Sequence, residues 1–309
     1  KNKVLGKVPV DYFTFADELI EKYKTDGMIG TWGKNKSNLN KFKNYCNCQK
    51  LTFHDIDIPF LLKYENFMRA TLSNKTNTVA TNMKLIRTIF NAAYRQDLIE
   101  HQLNPFLKYK IKSENGVRQF MTEDELLKLE NVKTVPGTKI DVVKDMFVFS
   151  AYTGGLRISD VLLLRWSHFD GKNVNITIRK TTTQLSVKGP NKGLEILKKF
   201  KRKNSASTDF IFPILSPELK MDDKIDNKIK VKLAISVASH STNNLLKTLS
   251  KTAKLNRNIS FHISRHTWAT RALRKGISID KVSKLMGHSA IQETQIYAKI
   301  VSEELDKAM

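Results

Sequence analysis

Apolar residues recur every three or four positions through the first hundred residues of the chain, which predicts four helices. The first runs through FADELIEKYKTDG with Thr14 as its N-cap, and the second covers about 31–48. Pro59 suits the first turn of the third helix, and the fourth spans about 79–94. Four helices in so short a stretch form a small bundle, so we expect a helical domain over residues 1–104.

The pattern changes after this bundle. The stretch LNPFLKYKIKSENGVRQF has no helical period and predicts a linker over 105–120. Helical patterns then return, beginning with a capping-box sequence at Thr122 and Glu125, whereas apolar residues alternate across a Thr-rich turn at 174–187 and predict a β-hairpin. The charge-rich segment 220–236 shows no clear period. We therefore expect a mainly α protein with a small antiparallel β-sheet, whose second domain, 121–309, is of mixed α/β character.

Composition adds a strong positive charge to this picture. The chain has 309 residues, 40% hydrophobic and 27% charged, with a formal net charge of +23. Residues 1–112 contribute +9 and the remainder +14, so both predicted domains are basic. A charge spread over two domains favours a clamp around a polyanion over a single basic tail. A merely lysine-rich or RNA-binding protein is the alternative interpretation.

Cysteine content and hydropathy exclude several other classes. Cys46 and Cys48 are separated by a single residue, which is poor spacing for a disulfide between them, and two cysteines are too few ligands for a zinc site. The sequence has no apolar run long enough to cross a membrane, and we expect no membrane partner. The first residue is Lys rather than Met, which leaves open whether a further N-terminal domain exists.

Candidate chemistry lies in the last fifty residues and in one upstream turn. His262 and Arg265 are three residues apart, a Gly-His pair ends at His288, and Tyr297 follows nine residues later. Far upstream, TGGLRISD contributes Arg157. Each residue alone is ordinary, but together they supply cationic and neutral donors for an anion and one hydroxyl nucleophile. This set suits attack on a phosphodiester by a tyrosine.

In this order, the same residues resemble the catalytic signature of the tyrosine recombinases, also called the phage integrase family. Its four blocks are T-G-x-R-x-S-[ED], H-x-x-R, L-G-H and a tyrosine, and this chain has one extra Gly in the first and Met for Leu in the third. The matching residues are Thr153, Gly154, Arg157, Ser159 and Asp160, then His262 and Arg265 followed by His266, Thr267, Ala269 and Thr270, then Met286, Gly287 and His288, and last Thr294, Gln295 and Tyr297. The amino-acid sequence of the first half of the chain resembles integrases of conjugative transposons and other mobile elements.

The resemblance implies a role for each candidate. Arg157 and Arg265 would bind the phosphate, and Tyr297 would attack it to form a 3′-phosphotyrosine. His262 and His288 would donate to phosphate oxygens or relay a proton, and the sequence leaves open which His is the base. Family members carry a catalytic Lys on a small sheet between the first two blocks, for which Lys180 is the candidate and Lys188 the alternative. Asp160 would orient the site, and neither metal nor cofactor is implied.

The resemblance also implies double-stranded DNA as the partner and a homotetramer assembled on it, with accessory DNA-bending or excision factors. The first domain would be the core-binding, SAM-like domain that grips DNA. The basic residues with which we expect it to contact DNA are Lys41, Lys43, Lys84, Arg87 and Arg95. Such a protein would work in the cytoplasm, associated with the nucleoid.

Two other functions fit part of the pattern. A type IB topoisomerase uses similar residues and a tyrosine, and a DNA-binding regulator could retain the fold without the activity. The intact set of candidates argues against a regulator. Tyr94 and Tyr152 lie in apolar helical patterns, and we expect both to be packing residues rather than nucleophiles.

Overall fold

The structure of the protein is a computed structural model that describes residues 10–114, 116, 118–288 and 290–308, with backbone alone for 302–308. About 60% of the chain is helical. The chain folds into two compact units, an N-terminal unit, Lys1–Gly116 with Asp222–Ile229, and a C-terminal unit, Val117–Met221 with Lys230–Met309. Residues 1–9 of the first predicted domain lie outside the described residues.

The N-terminal unit contains the four predicted helices: α1 (Tyr12–Thr25), α2 (Ile29–Cys46), α3 (Ile58–Ala70) and α4 (Thr76–Arg95). The predicted N-cap was wrong, since Asp11 caps α1 by accepting a hydrogen bond at 2.8 Å from the backbone N–H of Thr14. Asp11 is the stronger cap here because its carboxylate also accepts from the hydroxyl of Thr14 and the N–H of Leu51.

Aromatic rings fill the centre of this unit. The ring of Phe42 meets that of Tyr64 edge to face at 4.9 Å, and Phe53 meets both Tyr12 and Phe90 at 5.1 Å between ring centroids. Each such pair contributes about 0.5–1.5 kcal/mol beyond the burial of its apolar area. The core therefore fixes the helices, and leaves their outer faces to polar residues.

The C-terminal unit is built mostly of helices. In chain order they are α5 (Glu123–Glu130), α6 (Lys139–Tyr152), α7 (Ile158–Leu162), α8 (Asn191–Phe200), α9 (Ile225–Thr252, which begins in the other unit), α10 (His262–Arg274), α11 (Ile279–Met286) and α12 (Gln292–Ala308). The predicted capping box is confirmed, because the hydroxyl of Thr122 accepts from the N–H of Glu125 while the Glu125 carboxylate accepts from the N–H of Thr122.

The predicted hairpin is also confirmed. Strands β1 (Asn173–Thr177) and β2 (Gln184–Lys188) pair antiparallel, with Val174 opposite Val187 and Ile176 opposite Leu185. These alternating side chains are buried against the core of the C-terminal unit. The hairpin tip between the strands is therefore held by packing on one face of the sheet, and it carries one of the candidate residues.

Candidate active site

Arg265 connects three separate parts of the C-terminal unit. It lies on α10 and is only 3% exposed. Its Nη1 donates to the carbonyl of Gly155 at 2.9 Å, and its Nη2 donates to the carbonyl of Met286 at 2.6 Å. Burial and the nearby charge of Arg157 lower the pKa of Arg265 to about 10. The guanidinium still carries its proton at neutral pH, so a positive charge is fixed where the first, second and third sequence blocks meet.

Arg157 reaches this place through a glycine turn. It is half-buried at the N-cap of α7, after Gly154 and Gly155 in left-handed backbone conformations at φ +66° and +58°. A Cβ on Gly155 would lie 3.1 Å from the Cα of Arg265, so the extra glycine of this sequence allows a close approach of the two segments. Nη1 of Arg157 is buried and has no hydrogen-bond partner among the described residues.

Tyr297 lies on α12 with its hydroxyl 2.7 Å from Nδ1 of His266. Both residues are buried, at 3% and 5% exposed. Burial raises the pKa of Tyr297 and lowers the pKa of His266 to about 3. At neutral pH the tyrosine is therefore protonated and the imidazole neutral, with a ring nitrogen next to the hydroxyl.

His266, which lies next to the Tyr297 hydroxyl, was not identified as a candidate site residue from the sequence. It was noted only as part of the wording after H-x-x-R. The signal that could have found it is its spacing of four residues from His262, which places the two on one face of α10. Their rings meet edge to face with centroids 4.4 Å apart.

His262 and His288 lie on either side of this pair in the sequence. His262 is exposed at the start of α10, although the packing around its ring lowers its pKa to about 4. His288 is half-buried, with Nδ1 2.8 Å from the hydroxyl of Thr294 and Nε2 3.9 Å from a carboxylate oxygen of Glu293. Burial, assisted by the charge of Arg265, lowers the pKa of His288 to about 4. Both imidazoles are neutral at pH 7.

The tip of the hairpin is placed near His288. The hydroxyl of Thr181 donates to the carbonyl of Gly287 at 3.4 Å, and a Cβ on Gly287 would lie 2.1 Å from Cδ1 of Ile178. Lys180, exposed in this turn, is close enough for its charge to help lower the pKa of both His262 and His288.

Lys188 occupies the other end of the hairpin, opposite Asn173. The charge of Lys188 is not among the main causes that lower the pKa of His262 and His288 within the part of the chain that the structure describes. Thr181, the neighbour of Lys180, contacts Gly287, whereas Lys188 lies at the far end of the hairpin, so Lys180 is the better-placed candidate for the lysine of this site.

Asp160 and Arg118 are two further charged residues near the candidate site. Asp160 is 7% exposed on α7, and its Oδ1 accepts from the backbone N–H of Arg179 at 3.4 Å, which ties α7 to the hairpin turn. Burial raises the pKa of Asp160, against the lowering effect of Arg157. Arg118, which the sequence assigned only to the linker, is exposed, and its charge helps to lower the pKa of His262, His266 and Tyr297.

The five expected DNA-contact residues lie in the N-terminal unit. Lys43 pairs with Asp17, with Nζ 2.6 Å from a carboxylate oxygen, so part of its charge is neutralised within the unit. Lys41 is half-buried on α2. The three basic residues that are exposed together on α4 are Lys84, Arg87 and Arg95.

The buried histidines make stability depend on pH. Because the pKa of His266 is about 3 in the folded chain, against an ordinary value of 6.5, the unfolded chain takes up a proton below pH 6.5 that the folded chain does not. We expect the free energy of unfolding to fall by about 1 kcal/mol per pH unit from this residue between pH 6.5 and pH 4. Urea unfolding at pH 7 and pH 5 measures this difference.

His266→Gln is expected to show a smaller loss of stability than the wild type between these two pH values. His240→Gln is the matched control, since His240 is exposed on α9. An equal loss in wild type and His266→Gln would contradict the assigned shift.

The sequence pattern of the phage integrase family matches residues 119–304, and that of the phage integrase SAM-like domain matches residues 11–111. The chain belongs to the phage integrase family. The fold class predicted from the sequence, a helical N-terminal domain followed by a mixed catalytic domain, is confirmed.

Two curated relatives of this family member are tyrosine recombinases named XerC. One, from Pelotomaculum thermopropionicum, is 28% identical over 235 residues, covering 74% of this chain and 72% of the relative. The other, from Thermodesulfovibrio yellowstonii, is 24% identical over 268 residues, covering 86% and 84%. The family match and these relatives support site-specific DNA recombination, as predicted, and give no support to a topoisomerase or a non-catalytic regulator.

Solved structures share the fold of this phage integrase family member. A lambda integrase tetramer bound to a Holliday junction has a TM-score of 0.69 at 16% identity, covering 94% of this chain and 77% of that one. A Tn1549 transposon integrase in complex with transposon right end DNA has a TM-score of 0.66 at 14% identity, covering 97% and 99%. Both neighbours are described as bound to DNA.

Two kinds of feature are absent from the described residues. None of the helices in the described ranges is long and apolar enough to cross a membrane. Within the same ranges, no three His, Cys, Asp or Glu side chains are grouped so that they could hold a metal ion.

Proposed function

We propose that this chain cleaves and rejoins DNA strands with Tyr297 as the nucleophile, through a covalent 3′-phosphotyrosine. The observation that carries the proposal is the convergence of all four sequence blocks. Arg265 holds the Arg157 turn and the end of α11 through two carbonyls, while α12 brings the Tyr297 hydroxyl to His266 on the same helix as Arg265.

Arg157 and Arg265 neutralise the scissile phosphate. A guanidinium donates hydrogen bonds in a planar fork that suits phosphate oxygens, and it keeps its charge at every relevant pH. The buried Nη1 of Arg157 is a donor in need of an acceptor, which a non-bridging phosphate oxygen would supply. The loss of one such preorganised donor reduces the rate by about a hundredfold to a thousandfold.

His266 accepts the proton of Tyr297 as the hydroxyl attacks phosphorus. The 2.7 Å separation between Nδ1 and the hydroxyl supports this role. The lowered pKa keeps the ring neutral at pH 7, and it also makes His266 a weak base that depends on this close contact. His262 and His288, also neutral, donate ring N–H groups to phosphate oxygens. Asp160 positions the segment that carries Arg157 and the hairpin turn.

Lys180 protonates the departing 5′ oxygen. Its place in the turn between β1 and β2, near His262 and His288, supports this role, and its exposure leaves the side chain free to reach a bound strand. The phosphotyrosine conserves the free energy of the broken bond, so a 5′-hydroxyl from another strand can reverse the attack. Rejoining then needs no nucleoside triphosphate.

We also propose a biological setting for these steps. We place the protein on double-stranded DNA at the nucleoid, integrating or excising a mobile element as a homotetramer, with accessory DNA-bending or excision factors. The core-binding domain, 1–104, would grip DNA together with the linker, 105–120, while the catalytic domain, 121–309, cuts it. The tetramer of lambda integrase on a Holliday junction supports this assembly by its shared fold.

The test is a nicked duplex that carries the end of the element, so that the cleaved strand loses a short fragment and cannot be rejoined. We expect a covalent protein–DNA adduct on a denaturing gel, in buffer with a metal chelator. Peptide mapping of the adduct should find the phosphate on Tyr297. An adduct on another residue, or binding of this duplex without any adduct, would contradict the proposal.

A further inference from the structure

Helix α4 carries a stripe of polar residues on its outward face. Lys84, Arg87, Thr88 and Arg95 are exposed along it, and Asn91 lies among them, half-buried. Lys84 precedes Asn91 by about 10 Å along the axis, and Arg87 and Arg95 lie about 6 Å to either side, from the rise of 1.5 Å per residue. An amide flanked by cations at this spacing suits a helix in a DNA groove, with cations at phosphates and the amide at base edges.

The orientation of the Asn91 amide is determined by its neighbours. The backbone N–H of Phe106 can only donate, and it donates to Oδ1 of Asn104 at 3.1 Å. The other end of the Asn104 side chain is therefore its NH2 group, which donates to Oδ1 of Asn91 at 3.0 Å. The NH2 group of Asn91 must then point away from Asn104, and none of the described residues accepts a hydrogen bond from it.

Asn104 is a rigid support for this arrangement. It is 7% exposed and lies between two short 3-10 helices, His101–Leu103 and Pro105–Leu107. The Asn104 amide is hydrogen-bonded at both its oxygen and its nitrogen, so a flip of the Asn91 amide would break the bond from Asn104 and leave a buried group unsatisfied. The outward donor is therefore preorganised.

Asn91 opens into a groove of about 480 Å³ on the surface of the N-terminal unit. Arg87 and Arg95 line it, and the ring of Tyr94 packs against His101 with centroids 5.0 Å apart. Tyr94 packs on His101 as predicted for a packing residue, but at 43% exposed it lies at the surface rather than in the apolar core. The groove thus combines a fixed donor, cations and an exposed aromatic ring.

We infer that Asn91 reads a base pair in the DNA major groove, donating to guanine N7 and O6, with Arg87 and Arg95 at the flanking phosphates. Guanine is the match because it presents two adjacent acceptors there, whereas the oxygen of Asn91 is already engaged by Asn104. The inference rests on the proposed function only in taking DNA as the substrate.

The test is selection from a library of random duplexes by the full chain, for the wild type and three variants. The wild type is expected to enrich a motif with guanine at one position. Asn91→Ala should lower the preference for that guanine about tenfold and leave the other positions unchanged. Asn66→Ala, which removes an exposed Asn on α3 of the same unit, should retain the full motif.

Asn91→Asp makes the test independent of any folding defect in Asn91→Ala. A carboxylate can still accept from Asn104, but it presents an oxygen to the groove instead of a donor. The preferred base at that position should change from guanine to cytosine, whose N4 donates. An unchanged motif in both Asn91 variants, or no enriched motif for the wild type, would overturn the inference.

The adduct on a nicked duplex carrying the enriched motif separates this inference from the proposed function. If the adduct forms on Tyr297 but the Asn91 variants keep the guanine preference, base reading by Asn91 is wrong and the tyrosine mechanism stands. If the preference changes as expected but no adduct forms, base reading by Asn91 stands and the tyrosine mechanism is wrong.

Discussion

Tyr297→Phe should abolish the covalent adduct with DNA, lowering the rate of cleavage by about 10⁴-fold or more, as expected when a nucleophile is removed. The phenyl ring fills the same buried space, and no charge is lost from the DNA-binding surface. DNA affinity should therefore remain close to that of the wild type. The adduct is measured on denaturing gels of a nicked duplex, and affinity by filter binding of the same duplex.

Tyr152→Phe is the matched control for this variant. Tyr152 is half-buried on α6, and its ring packs against the guanidinium of Arg271 at 4.2 Å. This variant loses a hydroxyl of the same kind at a site without a role in the proposed chemistry, and it should form the adduct at the wild-type rate. Persistence of the adduct in Tyr297→Phe would show that another residue attacks the phosphate.

Arg265→Ala should lower cleavage by about a thousandfold and also destabilise the C-terminal unit. The catalytic loss comes from the missing donor at the phosphate. The loss of stability, about 2–4 kcal/mol, comes from the carbonyls of Gly155 and Met286, which lose their buried donor. Single-turnover cleavage and urea unfolding measure the two effects separately.

Arg271→Ala separates structural from catalytic loss. Arg271 lies on the same helix, with Nε 2.6 Å from the Glu123 carboxylate and Nη1 3.3 Å from the Ala151 carbonyl. Its removal should reduce stability but leave the rate of cleavage by the folded enzyme within a few-fold of wild type. If Arg265→Ala cleaves as fast as Arg271→Ala, Arg265 has only a structural role.

Local patterns were sufficient to predict the elements whose polarity follows a single period. The four helices of the N-terminal unit, the capping box at Thr122 and the hairpin all agree with the structure. The first half of α9 was not placed, because its apolar residues lie between many charges. Exposed Leu233 and Val237, both at 63%, further obscure its helical stripe.

Only part of the candidate site could be predicted from the sequence. The order and spacing of the blocks identified Arg157, Arg265 and Tyr297 as candidates, but did not identify the histidine that lies next to Tyr297. That identification depends on the packing of α12 against α10, which brings together residues 31 positions apart. Similarly, the preference for Lys180 over Lys188 depends on the contact between Thr181 and Gly287, 106 positions away. Such contacts have no signature in a local pattern.

The burial of Tyr297 has a consequence for the timing of the reaction. Only 3% of the residue is exposed, so we expect α12 to shift when a phosphodiester comes within reach of the hydroxyl for in-line attack. The rate observed is then the rate in the shifted conformation multiplied by the fraction of molecules that adopt it. We therefore expect cleavage on a chance encounter with DNA to be rare, and any contact that stabilises the shifted helix to raise the rate.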